Sequence, residues 1–206
     1  KQEQKRSLFW KVCYLNVSSL RSKQLEVSND NYLMDSDIFS LGETHLMPEE
    51  TIAFNGYSGH FASSGSWRGT AAYTKINQCD QPHTIVSENH SAIFIKTNDF
   101  DIIFLYLSKG FDQNSLFKQF DDWIDKAKPT AIIGDVNWNF SENTKMKNFL
   151  NVRGFSQLIE KPTYDDGTLI DHIYVNQSLS ELGVVTEQEA AYYSDHDIVT
   201  LLIAKK

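Results

Sequence analysis

The 206-residue sequence predicts an α/β protein, a four-layered sandwich in which two mostly antiparallel β-sheets pack face to face between outer helices. Short apolar runs of strand length, bounded by turn residues, recur along the chain and outnumber the helical segments. Polar residues cluster at the ends of several of these runs, where chemistry is often placed. No repeat or linker divides the chain, so residues 1–206 are expected to form one domain.

Up to residue 107 the pattern predicts one helix among several strands. Residues 9–15 and 37–41 are apolar runs short enough for buried strands. Between them, residues 19–34 are expected to be helical, with Ser18 or Ser19 as the N-cap. Further strands are predicted at residues 57–62, 70–74, 83–87, 92–96 and 101–107.

The remaining half alternates helices and strands. Apolar residues recur at steps of three and four between residues 116 and 127, which indicates an amphipathic helix, and Pro129 is expected to end it. A buried strand at 130–134 follows, and then a second helix at 145–152. The last strands are predicted at residues 155–159, 169–175 and 198–203.

Composition limits the class of protein. No apolar run approaches the roughly 20 residues of a membrane helix, so no membrane partner is expected. The net charge of −8 argues against a large nonspecific nucleic-acid surface but does not exclude a nuclease, because a metal-binding carboxylate cluster is itself acidic. The two cysteines, Cys13 and Cys79, cannot form a disulfide framework, which suits an intracellular protein. The polar start without Met suggests a domain excised from a longer polyprotein.

Polar residues lie at the edges of four apolar runs and inside a fifth, residues 169–175. A carboxylate within an apolar strand is costly unless it is paired or bound to a metal, so Asp171 is more informative than a surface acid. Singly, each cluster has an ordinary explanation as a loop residue, a turn or a helix cap. The joint occurrence of these clusters predicts a functional site. The clusters are Asn16, Glu43, Asp135-Val136-Asn137, Asp171-His172 and Ser194-Asp195-His196.

These residue types suit hydrolysis of a phosphodiester. Magnesium prefers carboxylate oxygen and water, and Glu43 can bind it. Asp135 can orient or activate the attacking water. A cationic histidine needs an acidic partner, and Asp171 is the natural partner of His196. The side chains that can donate to the charge developing on the phosphate are Asn137, His196 and Tyr106.

In this order the motifs resemble the exonuclease–endonuclease–phosphatase superfamily, which includes apurinic endonucleases, endonuclease domains of non-LTR retrotransposons, DNase I and inositol-phosphate phosphatases. The resemblance implies a DNase I-like fold and a metal-dependent phosphodiesterase. It spans nearly the whole chain. The matching segments are Leu15-Asn16-Val17, Gly42-Glu43-Thr44, Tyr106, Gly134-Asp135-Val136-Asn137, Ile170-Asp171-His172-Ile173 and Ser194-Asp195-His196.

The resemblance also implies a role for each matched residue. Glu43 would be the main ligand of Mg²⁺, for which Mn²⁺ can substitute, and Asp195 would lie on the metal side. Asp135 would activate the water, in contact with Asn16. The resemblance implies that three residues contact the phosphate: Tyr106, Asn137 and His196. Asp171 would support His196.

One departure from the family bears on the substrate. Apurinic endonucleases often carry Asp or Asn where this chain has Ser18, while the segment from Lys161-Pro162-Thr163 to Ile173 is similar to mobile-element nucleases. The expected function is therefore nicking of double-stranded DNA to leave a 3′-hydroxyl, in the nucleus, beside reverse transcriptase or helicase domains of the same polyprotein. An abasic-site repair endonuclease, a small-molecule phosphatase and a catalytically silent DNA- or protein-binding module remain alternatives.

Further residues are candidates for contacts with DNA. Trp67 and Arg68 lie in a Gly/Ser-rich loop, although a loop aromatic can simply pack on its own domain. Trp138, with Asn139, follows the Asp135 strand. The segment from residue 175 to 193 is expected to form a hairpin or loop near the site, but it carries no lysine or arginine for phosphate binding. The other candidates are His45, Thr163 and Ser194.

Overall fold

The computed structural model describes residues 8–65, 68–75, 82–142 and 144–205. Its strands are β1 (Phe9–Asn16), β2 (Ile38–Gly42), β3 (Ser58–Ser63), β4 (Gly69–Thr74), β5 (His83–Val86), β6 (His90–Lys96), β7 (Asp101–Leu107), β8 (Thr130–Asp135), β9 (Phe155–Gln157), β10 (Asp171–Asn176), β11 (Val184–Ala190) and β12 (Asp197–Ala204). Its helices are α1 (Leu20–Asn29), α2 (Asn31–Met34), α3 (Gln113–Trp123), α4 (Thr144–Asn151) and α5 (Gln177–Ser180).

The strands form two six-stranded sheets that pack face to face. Sheet A has the order β11-β12-β1-β2-β4-β3, and sheet B has the order β5-β6-β7-β8-β10-β9. The pairs β1–β2 and β7–β8 are parallel, whereas the other neighbouring strands are antiparallel. The mostly antiparallel double sheet that the sequence predicts is confirmed.

Apolar side chains fill the space between the sheets and the space under the outer helices. Ile133 of β8 and Leu201 of β12 belong to the cluster between the sheets. Leu20 of α1 packs in the cluster on the outer face of sheet A. Phe120 of α3 and Leu150 of α4 pack in the cluster on the outer face of sheet B. Each such side chain contributes roughly 1.5–3 kcal/mol by its burial, so the helices are bound firmly to the sheets as the two outer layers.

The first predicted helix differs from the structure at both ends of α1. Ser19 occupies the N-cap position with a φ of 93°, and its side chain makes no capping hydrogen bond. The N–H groups of Ser19 and Leu20 instead donate to the carbonyl oxygens of Glu43 and Thr44, at 2.8 and 3.1 Å. The helix breaks at Asp30, whose carboxylate caps the first turn of α2. The cap that the sequence assigned to serine is thus made by a neighbouring loop.

The amphipathic helix α3 is shorter than predicted. It ends at Trp123, well before Pro129, because Ile124 adopts an extended conformation. The carboxylate of Asp125 then accepts the N–H of Ala127 at 2.9 Å and forms a turn. A local side-chain hydrogen bond of this kind competes with continuation of a helix, and periodicity alone does not detect it.

The predicted loop or hairpin between residues 175 and 193 contains α5 and the edge strand β11. This strand pairs antiparallel with β12 from Val184↔Ile203 to Ala190↔Asp197, so the two strands form a hairpin. Its other edge has no partner strand among the described residues. Exposed glutamates along it, including Glu187, discourage pairing with a second chain. No helix within the described ranges is both long and apolar enough to cross a membrane.

Strand direction brings the predicted motifs to one edge of the sandwich. In sheet A, Asn16 at the end of β1 pairs with Gly42 at the end of β2. In sheet B, Asp135 at the end of β8 pairs with Tyr106 of β7 and with Asp171 of β10. Because β1 packs on β8 and β2 packs on β7, these residues face one another across the sandwich. We call this edge the polar edge.

Candidate active site

His196 and Asp171 form a buried pair on the polar edge. His196 Nδ1 donates to Asp171 Oδ2 at 2.8 Å. Burial alone would lower the pKa of His196, but the charge and hydrogen bond of Asp171, with smaller contributions from Asp135 and Asp195, raise that pKa to about 9. The histidine is therefore cationic at neutral pH. The sequence predicted that Asp171 lies inside a strand at residues 169–175, but in the structure Asp171 is the first residue of β10.

Asp135 lies beneath the site with both oxygens bonded. Its Oδ2 accepts from Asn16 Nδ2 at 2.9 Å, and its Oδ1 accepts from the N–H of Asn137 at 2.7 Å. Asn137 Nδ2 donates to Leu107 O at 2.8 Å and also reaches Asp135 Oδ2 at 3.2 Å. Complete burial and the nearby Asp171 carboxylate raise the pKa of Asp135 well above its usual value, although the His196 cation opposes this rise. The predicted contact between Asn16 and Asp135 is present.

Glu43 and Tyr106 meet on the other side of Asp135. The Tyr106 hydroxyl donates to Glu43 Oε1 at 2.8 Å. Burial and the negative charge of Glu43 raise the pKa of Tyr106, so its hydroxyl stays protonated and remains a donor. Tyr106 is 4% exposed, whereas Glu43 is half-buried and lines an open cleft.

The cleft over these residues has a volume of about 350 Å³. Glu43, Asn137, Asp195 and His196 line it, while Asn16, Asp135 and Asp171 are buried below its surface. The other lining residues are Ser18, Lys109, Trp138, Asn139, Glu142, Tyr164, Asp166, Thr168 and Ile170. Four of the lining residues are acids and two, Lys109 and His196, are cations, so the lining is negative on balance before a metal ion enters it.

Backbone strain is concentrated around the cleft. Among the described residues, the non-glycine positions with positive φ are Ser18 (46°), Ser19 (93°), Glu43 (51°), His45 (54°) and Asn137 (55°). Ser18, Glu43 and Asn137 line the cleft, Ser19 follows Ser18, and His45 is two residues after Glu43. Such conformations cost on the order of 1–3 kcal/mol each and persist only where the surrounding structure holds them. Strained residues of this kind often cluster at functional sites, so their grouping here indicates that the polar edge is one.

One group of side chains has the spacing of a metal site, and two further carboxylates line the cleft. The ligand atoms of Asp135, Asp171 and His196 lie within 4.8 Å of one another, close enough to hold one. In that group Nδ1 of His196 already binds Asp171, and a cationic imidazole offers no lone pair to a metal. Glu43 and Asp195 line the cleft and supply carboxylate oxygen, the ligand type that magnesium prefers.

The predicted substrate contacts differ in where the structure places them. Trp138 lines the cleft, and its ring packs on Phe111 with centroids 5.1 Å apart. Arg68 Nη1 donates to the carbonyl oxygen of Glu88 at 2.7 Å, at the border of the site. His45 is half-buried beside Glu43 and is not among the described residues that line the cleft. Trp67 lies outside the described residues.

Thr163 and Ser194 hold the site together instead of lining it. Thr163 is 1% exposed, and its hydroxyl accepts the N–H of Asp171 at 3.0 Å while its carbonyl oxygen accepts the N–H of Asp197 at 2.8 Å. The Ser194 hydroxyl donates to Asn16 O at 2.6 Å and accepts the N–H of His196 at 3.1 Å. Both side chains therefore bind backbone atoms around the His196–Asp171 pair. Their contact with the substrate stays a prediction.

Sequence reasoning missed Lys109 and Tyr164. The Tyr164 ring lies against His196 with centroids 4.7 Å apart, and the charge of Asp195 raises the pKa of Tyr164. Lys109 is exposed and lines the cleft three residues after Tyr106. Their positions in the sequence could have indicated them, because Lys109 is three residues after Tyr106 and Tyr164 directly follows Lys161-Pro162-Thr163.

No family model and no curated protein matches the sequence. Solved structures do. The endonuclease domain of TRAS1, a telomere-specific non-LTR retrotransposon, is 15% identical with a TM-score of 0.72, covering 95% of this chain and 98% of that chain. An AP endonuclease from Archaeoglobus fulgidus is 19% identical with a TM-score of 0.76, covering 94% and 98%. The 3′-5′ exonuclease NExo from Neisseria meningitidis is 18% identical with a TM-score of 0.73, covering 95% and 100%.

These likenesses extend over nearly the whole of each chain, and at such identities they establish the fold. The chain has the two-sheet sandwich of DNase I-like nucleases, as its motifs implied. The order of its strands in two six-stranded sheets agrees with this.

Proposed function

We propose that this chain is a magnesium-dependent endonuclease that hydrolyses a DNA phosphodiester and leaves a 3′-hydroxyl at the nick. The observation that carries the proposal is the meeting of three hydrogen-bonded pairs on one edge of the sandwich. The pairs are His196–Asp171, Asn16–Asp135 and Tyr106–Glu43. They provide a cation, a buried carboxylate with a raised pKa and a carboxylate that faces the cleft, which are the groups that hydrolysis of an anionic diester needs.

Glu43 and Asp195 are the residues that would hold the magnesium ion. Both line the cleft, and their hard oxygen donors suit magnesium or manganese. A bound ion would neutralise negative charge on the phosphate oxygens. The hydroxyl of Tyr106 donates to the carboxylate of Glu43, whose backbone has a positive φ, and this hydrogen bond orients the carboxylate.

His196 is the proposed donor to the phosphate. Its Nδ1 is bonded to Asp171, so Nε2 is the nitrogen available to a ligand in the cleft. A cationic donor held in place becomes more effective as negative charge develops on the phosphate oxygens. Asn137, on the same cleft surface, supplies a second donor.

Asp135 is the proposed base. Its raised pKa makes it a stronger base than an exposed aspartate. The carboxylate has no exposed surface, so reaching a water requires a small opening of the cleft floor. Its contact of 3.2 Å with Asn137 Nδ2 is the longest of its hydrogen bonds, and we infer that the Asn137 amide turns from Asp135 to the phosphate when DNA binds.

The proposed setting is a mobile element that nicks its target in the nucleus to prime reverse transcription, with reverse transcriptase or helicase domains in the same polyprotein. The TRAS1 structure, an endonuclease domain of a non-LTR retrotransposon, supports this setting. Ser18 lines the cleft where apurinic endonucleases often carry Asp or Asn, which disfavours dedicated abasic-site repair. Among the described lining residues Lys109 is the only lysine or arginine, so the cleft does not suit a small molecule with several phosphates.

Incubation with supercoiled plasmid tests the proposal. We expect open circles with magnesium or manganese, none with EDTA, and extension of the nicks by a DNA polymerase, which requires a 3′-hydroxyl. Cutting should map to undamaged duplex. An absence of nicking in magnesium would overturn the proposal, and cutting confined to abasic sites would assign the chain to repair.

A further inference from the structure

The cleft poses an electrostatic problem for a protein that binds DNA. Glu43, Glu142, Asp166 and Asp195 line it, and the chain has a net charge of −8. Affinity for DNA comes largely from cations that neutralise backbone phosphates. One or two metal ions and His196 can serve the phosphate that is cut, but a duplex also needs protein contacts to its neighbouring phosphates.

Asn89, beside the cleft, binds the side chain of Arg68 and the backbone on both sides of a second cationic residue, Lys109. Arg68 Nη1 donates to Asn89 Oδ1 and to the carbonyl oxygen of Glu88. The residues on both sides of Lys109 also bind Asn89. Ser108 N–H donates to Asn89 O at 2.9 Å, and Asn89 Nδ2 reaches the carbonyl oxygen of Gly110 at 3.5 Å. Asn89 thus links the loop before β4, the β5–β6 turn and the loop after β7.

The charges of both side chains remain available to a ligand. Lys109 is exposed and lines the cleft, and Arg68 is half-buried with its described hydrogen bonds at Nη1 alone. Neither of them forms an ion pair with a described carboxylate. The charge of Arg68 opposes the rise in the pKa of Tyr106 that burial and Glu43 cause, so Arg68 lies near the site.

Strand order places this pair at one side of the scissile position. Along the polar edge of sheet B, Asp171 comes from β10, Asp135 from β8 and Tyr106 from β7, while His196 lies in the turn before β12 of sheet A. Asn89 directly precedes β6, the next strand of sheet B after β7. Lys109 follows β7, the strand next to β8. With strands ~4.8 Å apart, Asn89 lies about two strand spacings, ~10 Å, from Asp135. That offset is too large for the scissile phosphate and suits the next phosphate along the strand.

We propose that Arg68 and Lys109 together bind one DNA backbone phosphate adjacent to the scissile one, with Asn89 as the residue that positions both. This site, which we call the flanking-phosphate site, lies on the Glu43–Tyr106 side of the cleft, away from His196. The inference rests on the proposed function. A phosphate contact carries no sequence information, so the site fixes the register of the DNA without choosing its target.

The test is the salt dependence of binding to a fluorescent duplex by protein carrying His196→Ala, which should bind DNA without cutting it. Lys109→Ala and Arg68→Ala should each weaken binding and lower the slope of log K against log salt by about one, the value for one lost phosphate. Because both cations share a phosphate, the double variant should lose about one in slope, not two. Asn89→Ala keeps both charges but should also weaken binding, and the chain should stay folded because the hydrogen bonds between Ser108 and the backbone of Asn89 remain.

Lys126→Ala is the matched control. This exposed lysine lies in the loop before β8, at the end of the sandwich opposite the polar edge, and the slope should not change. Slopes of Lys109→Ala and Arg68→Ala equal to that of Lys126→Ala would overturn the inference. If the otherwise unaltered chain still nicks plasmid in that case, the proposed function survives and only the flanking-phosphate site fails. If that chain neither binds nor nicks DNA, both fail.

Discussion

The Nδ1 atom of His196 lies 2.8 Å from Oδ2 of Asp171, and both side chains are buried although a turn and a different strand carry them. The other oxygen of Asp171 has no hydrogen-bond partner among the described residues. A buried carboxylate with one free oxygen is costly unless a cation balances its charge. The pair therefore depends on the protonated histidine, and the histidine depends on the carboxylate.

Replacement of Asp171 by Asn should separate catalysis from folding. Asn keeps the shape of the side chain but removes the largest contribution that raises the pKa of His196, so that pKa should fall from about 9. NMR titration of the imidazole should show this fall, and nicking should slow by at least ~10²-fold, the scale of losing one key transition-state contact. A folded Asp171→Asn protein with normal activity would remove Asp171 from the site.

Replacement of Tyr106 by Phe should weaken the metal side of the cleft. The change deletes the 2.8 Å hydrogen bond to Glu43 Oε1 and little else, because Tyr106 is otherwise packed in the sheet. We expect nicking to slow by roughly 10–10²-fold and to need more magnesium for half of its maximal rate. A magnesium titration of the rate measures both effects. An unchanged magnesium requirement would show that Tyr106 does not orient Glu43.

Gly134, beside Asp135, should not tolerate a side chain. A Cβ at this position would lie 1.8 Å from the carbonyl oxygen of Leu105 in the neighbouring strand, and backbone cannot easily yield. Gly134→Ala should lower the free energy of unfolding by more than ~3 kcal/mol, the upper end for overpacking. Gly56→Ala, which meets no atom within 4 Å at a φ of 83°, should lose only about 1–2 kcal/mol. Equal losses in urea denaturation would contradict this account.

His172 should make stability depend on pH. Its ring is buried between Tyr174 OH at 3.0 Å and Leu169 O at 3.2 Å, and burial lowers its pKa from 6.5 to about 4. Between these values the unfolded chain binds the proton and the folded chain does not. The stabilisation is therefore complete above pH 6.5 and is lost as pH falls toward 4. The loss amounts to about 2 kcal/mol at pH 5.

A His172→Gln variant isolates this contribution from the titrating acids. Its free energy of unfolding should fall less between pH 7 and pH 5 than that of the parent chain, by about 2 kcal/mol. Equal falls in the two proteins would show that His172 is not held neutral.

Sequence patterns located the chemical residues better than the helix ends. The motifs predicted the double sheet and two of the three pairs, Asn16–Asp135 and His196–Asp171, because each motif ends or begins a strand and the register aligns the ends. The Tyr106–Glu43 hydrogen bond was not predicted. The ends of α1 and α3 depend on contacts that no local pattern contains, such as the Glu43 carbonyl oxygen that accepts from Ser19. Sequence likewise could not show that Thr163 is buried beneath the site, since its hydroxyl binds a backbone amide eight residues away.

The most direct test of the account is the single-turnover rate of plasmid nicking in magnesium by Asp135→Ala and His196→Ala. The proposed base and phosphate donor each act in the transition state, so each variant should nick at least ~10²-fold more slowly than the unaltered chain while staying folded. A loss below about threefold for either variant, or nicking by the unaltered chain that persists in EDTA, would contradict the proposed active site.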